Sequence, residues 1–285
     1  MDARTGSMDS ILQSVKDIPP LPAIIPRVMS VLNDPNSSVS DLSEVLGSDQ
    51  AIASKLLRLS NSAFYGFPKH IGTIQDAVVL LGFKTIKGLI YALSLYNNFD
   101  KHVAGYEMHK GELWRHSLAV AFLSRDISTR TKTGNPEQAF VAGLLHDIGK
   151  TILGEYVEQN VEEIKRLVEK ENYTFPEAEE KVLGFSHTEL GARVCEKWNL
   201  PDELLSAVRH HHNPAEGKDG GPLVPVVHIA DAVCLMMGIG LGLDGFSYHV
   251  DVQALAALGK DWSFIDDILR GAQAKLLDIN KFLPE

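Results

Sequence analysis

The chain has 285 residues, of which 45% are hydrophobic and 22% charged, a composition that excludes collagen-like, coiled-coil and wholly disordered chains. Acidic residues outnumber basic ones 37 to 27, a formal charge of −10, which argues against a generic nucleic-acid binder because such binding rests on Lys and Arg neutralising phosphates. The length allows one or two hydrophobic cores.

Helical signals run from the N-terminus onward. Asp17–Pro26 (DIPPLPAIIP) holds four prolines and is expected to be extended or turning. Pro26 suits the first turn of a helix reaching about Leu32. Asn33–Ser38 reads as a turn. A helix is expected from Ser40, another capped by Ser48 or Asp49, and a third capped by Thr73 and closed by Gly82. Lys84–Tyr96 completes this half. Residues 107–135 are expected to form one long helix, and Asn135-Pro136-Glu137 opens the next, to about His146. Glu158–Lys181 reads as a single solvated amphipathic helix. Ser186 and Glu189 form a capping box for a helix to Trp198. Further helices are expected over 201–212, 222–237, 251–258 and 262–277. No alternating stretch is long enough for a sheet, so the fold class is all-α.

The first ten residues, MDARTGSMDS, lack the basic lead-in and apolar core of a signal peptide, and Met8 marks the first seven as a tag or an alternative start. No uninterrupted apolar run reaches about 18 residues, so no membrane contact is expected. Cys195 and Cys234 cannot build a disulfide framework and read as buried thiols of a reducing compartment. The expected location is cytoplasmic.

Eight of the 11 histidines lie between His109 and His228. Glu112 and His116 stand at i and i+4 and share a helix face, a spacing that suits two metal ligands or a plain surface pair. His146-Asp147 sits in Gly-Leu-Leu-His-Asp-Ile-Gly-Lys, ending at Lys150. Neighbours on a helix are about 100° apart, so the pair can meet one ion only where the backbone turns, as Gly149 permits. His187 opens a helix, and His210-His211-His212 closes one, where a cationic end would also be favourable. Asp231 lies on an otherwise apolar helix and needs a partner, because burying a lone carboxylate is costly. Each position has an ordinary structural reading, but together those readings require five separate accidents. Trp114 and His228 read as core residues. Asn61–Gly66 reads as a helix end closed by glycine, and Lys84 and Lys87 as flanks of a packed hairpin.

The order Glu-x3-His, His-Asp-Ile-Gly-Lys, His-Thr-x2-Gly, His-His and Ala-Asp resembles the HD-GYP branch of the HD phosphohydrolase superfamily. Leu21-Pro22, Asn33-Asp34-Pro35, Leu56-Leu57-Arg58-Leu59-Ser60-Asn61-Ser62-Ala63-Phe64-Tyr65-Gly66 and Ile74–Gly82 narrow this. They resemble the HDOD family, the HD-related output domain of bacteria, over about residues 10–215. The chain departs from HD-GYP enzymes after the histidine pair. Asn213-Pro214 follow His212 where those enzymes have Glu, and no Gly-Tyr-Pro signature comes after. The resemblance therefore extends to the metal ligands and not to the cyclic di-GMP pocket.

The resemblance implies a two-lobed all-α protein: an N-terminal helical lobe over 1–105 and an HD-type metal-binding lobe with a C-terminal extension over 106–285. It implies two or three divalent ions, iron or manganese before zinc, held by Glu112, His116, His146, Asp147, His187, His211, His212 and Asp231. Asp147 would bridge two ions, a water between them would attack a phosphodiester, and Lys150 would stabilise the developing charge. The implied partners are a phosphoester or nucleotide ligand and a signalling protein. Three readings stand open: a signal-transduction phosphohydrolase, a non-catalytic regulator whose metal site is structural or vestigial, and an iron-based redox or oxygen sensor.

Overall fold

The computed structural model describes Ile11, Gln13 and residues 23–62, 64–99, 101–217, 220–245 and 248–276. Of the expected extended segment Asp17–Pro26, residues 17–22 lie outside the described residues, as do the first seven residues, Ala63 and residue 277, while Ile24–Pro26 already belong to the first helix. The chain is all-α. Among the described residues the only strand-like pairing is an isolated bridge between Val103 and Met108.

The chain divides into two compact units, Leu21–Asn97 with Arg270–Glu285, and Met1–Pro20 with Asn98–Leu269. The first contains α1 (Ile24–Asn33), α2 (Val39–Gly47), α3 (Gln50–Ser60) and most of α4 (Ile74–Phe99). Ser38 caps α2, two residues before the start expected at Ser40, sharing a reciprocal box with Asp41. Asp49 caps α3 by accepting from Ile52 N–H. Asn61 pins the following loop: its amide donates to the Leu57 and Ile71 carbonyls and accepts from Ile71 N–H. Its sequence reading as a helix end is thus met by a side-chain clip.

Gly82 interrupts α4 with φ 78° and ψ 160°, a conformation open to glycine and strained for other residues. The expected break is therefore real, although the helical turns on either side follow one another. Ile74–Leu95, with mean hydropathy 1.6, is long and apolar enough by composition to cross a membrane, because sparse Asp and Lys interrupt the run without polarising it. Ala77, Val78, Ile86, Leu89 and Ile90 are buried within the fold, whereas Val79 and Leu80 are exposed.

The second unit opens with a 3-10 turn (Ala104–Tyr106) and continues through α5 (Glu112–Thr131), α6 (Pro136–Leu145), α7 (Lys150–Gln159), α8 (Val161–Glu171) and α9 (Phe175–Leu183). It then holds α10 (His187–Lys197), α11 (Asp202–His210), α12 (Leu223–Met236), α13 (Val252–Ala257) and the start of α14 (Trp262–Leu276). The long helix expected over 107–135 is shorter, because Gly111 at φ 83° lies outside the helical region and Lys132 at φ 55° ends it. The expected single helix over 158–181 is three. Asn160 breaks it first, and Asn172 at φ 57° breaks it again before Thr174 and Glu177 form a new capping box. Ser186 does accept from Glu189 N–H, but Glu189 turns its carboxylate to Arg193 and Arg209, so the box is half formed.

Candidate metal centre

Packing of α5, α6 and α12 builds the floor of the site. A Cβ on Gly143 would lie 2.6 Å from Ser124 Oγ and 2.8 Å from the Val120 carbonyl, so α5 and α6 approach closely only because that side chain is absent. After α6 the chain turns through residues 146–149 before α7. That turn lets the adjacent His146 and Asp147 face one point. Gly149 sits against the N-terminus of α10, and a Cβ there would lie 1.9 Å from the His187 carbonyl oxygen. The glycine of His-Asp-Ile-Gly-Lys is thus what brings His187 to the turn.

Seven of the expected ligands converge. His187 Nε2 and His211 Nε2 lie 3.5 and 3.7 Å from Asp147 Oδ1. His146 Nε2 and His116 Nε2 lie 3.3 and 3.6 Å from Asp147 Oδ2. His116 Nε2 is also 3.1 Å from Asp231 Oδ1. The ligand atoms form two groups, Asp147 with His187, His211 and His212, and His116 with His146 and Asp231, each within 4.8 Å. Among the described residues there is no third group. His212 is the least enclosed member, at 9% side-chain exposure.

The tautomers explain why the groups face inward. His116 Nδ1 bonds the Ile239 carbonyl at 3.0 Å, His146 Nδ1 that of Gly143 at 2.8 Å, and His211 Nδ1 that of Val208 at 2.7 Å. His187 Nδ1 meets the Glu179 carboxylate at 2.8 Å. A carbonyl or carboxylate can only accept, so each Nδ1 donates and each Nε2 presents a lone pair. Nε2 of His187, His211 and His212, and Asp147 Oδ1, are buried without a hydrogen-bond partner among the described residues. Orphaned acceptors are costly, and a cation satisfies all of them at once. Mixed imidazole and carboxylate donors of this kind suit iron, manganese or zinc.

Electrostatics follow the same geometry. Burial pushes His211 down to about 4 and His212 well below its ordinary value. Burial also opposes the charged form of His146, but Asp147 and Asp231 outweigh it and raise that group. Burial would raise Asp147, but His146 and Lys150 hold it well below the carboxylate range. Asp231 is lowered to about 2, its burial outweighed by the His116 imidazole 3.1 Å away and by the charge of His146.

Lys150 is buried, and its ammonium lies 2.8 Å from Asp147 Oδ2 and 2.7 Å from Asp244 Oδ2. Two carboxylates thus hold the group expected to stabilise a phosphate. Glu112 is not brought to the cluster. It sits at the first position of α5, where its carboxylate accepts from His109 N–H and pairs with Arg115. Satisfying the free amides of a helix start holds it there. His228 is a satisfied core imidazole, donating to the His211 carbonyl and accepting from Asp251 N–H. Trp114 is core, packed on Phe99. His70, His102, His109 and His249 are exposed.

Three residues around the ligands escaped the sequence reading. Glu179, placed there on a solvated helix, is fully buried against His187. Its signal was register: it falls on the apolar stripe of α9 with Phe175, Ala178 and Leu183. Asp244 is buried beside Lys150, and Tyr248 stacks on His212 with ring centroids 3.6 Å apart. Both lie in a loop, where no periodicity marks a buried polar side chain.

The HDOD domain matches residues 18–214, more than two thirds of the chain. The chain belongs to the HDOD family. The solved structure of an HDOD domain protein of unknown function from Geobacter sulfurreducens is 25% identical, with a TM-score of 0.77 and 99% of each chain covered. An uncharacterized protein of Treponema pallidum is 23% identical over 224 residues, 78% of this HDOD chain and 43% of that protein. Ribonuclease Y of Nitratiruptor sp. is 32% identical over 101 residues, 35% of this chain and 14% of that enzyme. The HDOD chain therefore spans less than half the length of these two relatives.

Proposed function

We propose that this HDOD chain is a cytoplasmic output module of bacterial signal transduction whose centre holds two divalent ions and hydrolyses a phosphodiester. The observation that carries this reading is Asp147, whose two oxygens face two different histidine groups, as a carboxylate shared between two ions requires. His116, His146 and Asp231 would hold one ion and His187, His211 and His212 the other, with iron or manganese favoured. The ions, when bound, supply Lewis acidity that polarises a phosphoryl oxygen and makes water nucleophilic at neutral pH. Lys150 fixes the orientation of Asp147 and keeps a positive charge at the site.

Charge supports a phosphodiester. Asp147, Asp231 and Glu179 are buried carboxylates, and Asp244 offsets Lys150. Two divalent ions against three negative charges leave the centre positive by one, which matches the single charge of a phosphodiester. The test is turnover by the manganese- or iron-loaded chain on bis(p-nitrophenyl) phosphate, cyclic dinucleotides and RNA, the last because of the likeness to ribonuclease Y. Turnover abolished by His146→Ala supports the reading.

A second reading has its own support. Every ligand side chain is at most 9% exposed, and Tyr248 covers the most open one. A centre so enclosed suits a structural ion pair in a regulator that acts through protein contacts of its N-terminal helices. Two bound ions with no turnover on the panel would favour that regulator.

A further inference from the structure

The histidines of the centre are not oriented alike. His116, His146 and His211 each give Nδ1–H to a neutral backbone carbonyl. His187 gives its Nδ1–H to a carboxylate, that of Glu179. Glu179 is fully buried and also accepts from His187 N–H at 2.8 Å and from Tyr106 Oη. Burial and the Glu179 charge push the Tyr106 phenol well up, so it stays a donor. Among the described residues no Lys or Arg pairs with Glu179. A buried carboxylate so placed is costly unless its donors, and a cation beyond them, repay its desolvation.

We propose that Glu179 is the positioning residue of the His187–His211–His212 half of the centre. It fixes the His187 ring with Nε2 toward Asp147. The two halves then match in charge. Each shares Asp147, one half has Asp231 as a direct ligand, and the other has Glu179 one imidazole removed. The inference rests on the two-ion reading and adds to it a residue outside the histidine–aspartate pattern.

Cobalt(II) titrated into the chelator-stripped chain, followed by visible absorption and equilibrium dialysis, tests it without reference to activity. The wild-type chain should take two equivalents. In Glu179→Gln one equivalent should weaken about 10–100-fold, the usual cost of removing such an outer partner, while the other keeps its affinity. Tyr106→Phe, which keeps the carboxylate on His187, should retain both. Two unchanged equivalents in Glu179→Gln, loss of both, or the same loss in Tyr106→Phe, would overturn the inference. Should Glu179→Gln fail to fold, ¹⁵N spectra of the zinc-loaded wild-type imidazoles decide. His187 should carry its proton on Nδ1, shifted downfield of the other ligands, and an ordinary Nδ1–H shift for His187 overturns the role. A wild-type chain that takes no second equivalent sinks the two-ion reading itself, and this inference falls with it.

Discussion

His116 Nε2 and His146 Nε2 face each other at 3.2 Å, while the Nδ1 atom of each is committed to a carbonyl. With both rings in the Nδ1–H form, two lone pairs oppose one another in a buried site. Only a proton or a cation between them relieves this. Burial opposes a proton on His146, but Asp147 and Asp231 outweigh it and raise that group, so proton and metal compete for one position.

Metal binding should therefore release protons. Below its raised value His146 carries a proton that an incoming ion must displace; above that value there is none to displace. Affinity should fall as the pH drops through this range. His211, held near 4, and Asp231, near 2, are already proton-free at neutrality and contribute nothing. Calorimetric zinc titrations in buffers of different ionisation enthalpy should give more protons released at about pH 6 than at about pH 8.5. Equal release at both would contradict the arrangement.

Asp147 and Asp231 should differ in what they remove. Asp147 faces both histidine groups, so Asp147→Ala should strip both ions in elemental analysis. Asp231 touches the His116 group at 3.1 Å and reaches the other group only through His212 at 3.8 Å, so Asp231→Ala should leave one ion in place. Equal losses from the two variants would mean that Asp147 is not shared.

Lys150 joins Asp147 to Asp244 in the interior. Lys150→Met leaves two buried carboxylates without their cation and should destabilise the metal-free chain by about 3–5 kcal/mol in urea denaturation. Adding Asp244→Asn should cost less than the sum of the two single changes, because the members share one network. Strict additivity would show that the pair is not coupled.

Gly149→Ala places a methyl group 1.9 Å from the His187 carbonyl and 2.8 Å from the Gly191 nitrogen, backbone atoms on both sides. The turn must shift away from α10. We expect a loss of about 1–3 kcal/mol and a weaker ion in the His187 half. Denaturation and cobalt titration of the same variant read both effects.

The helical class, most caps, the break at Gly82 and the seven side chains that converge were legible in the residues alone. These rest on short-range physics. Asp49 and Asn135 cap because their side chains reach amides two or three residues on, and His146 and Asp147 can meet one point because Gly149 follows them. Which charges are buried depends on long-range packing. Glu179 and Glu112 are both carboxylates on helices. One is sealed against His187 by the packing of α9 and α10, and the other stays at a helix start beside Arg115. The Asp244–Lys150 pair was hidden for the same reason. For Lys150 the cost of burial is offset by Asp244, 94 residues further on, and no local pattern carries that distance.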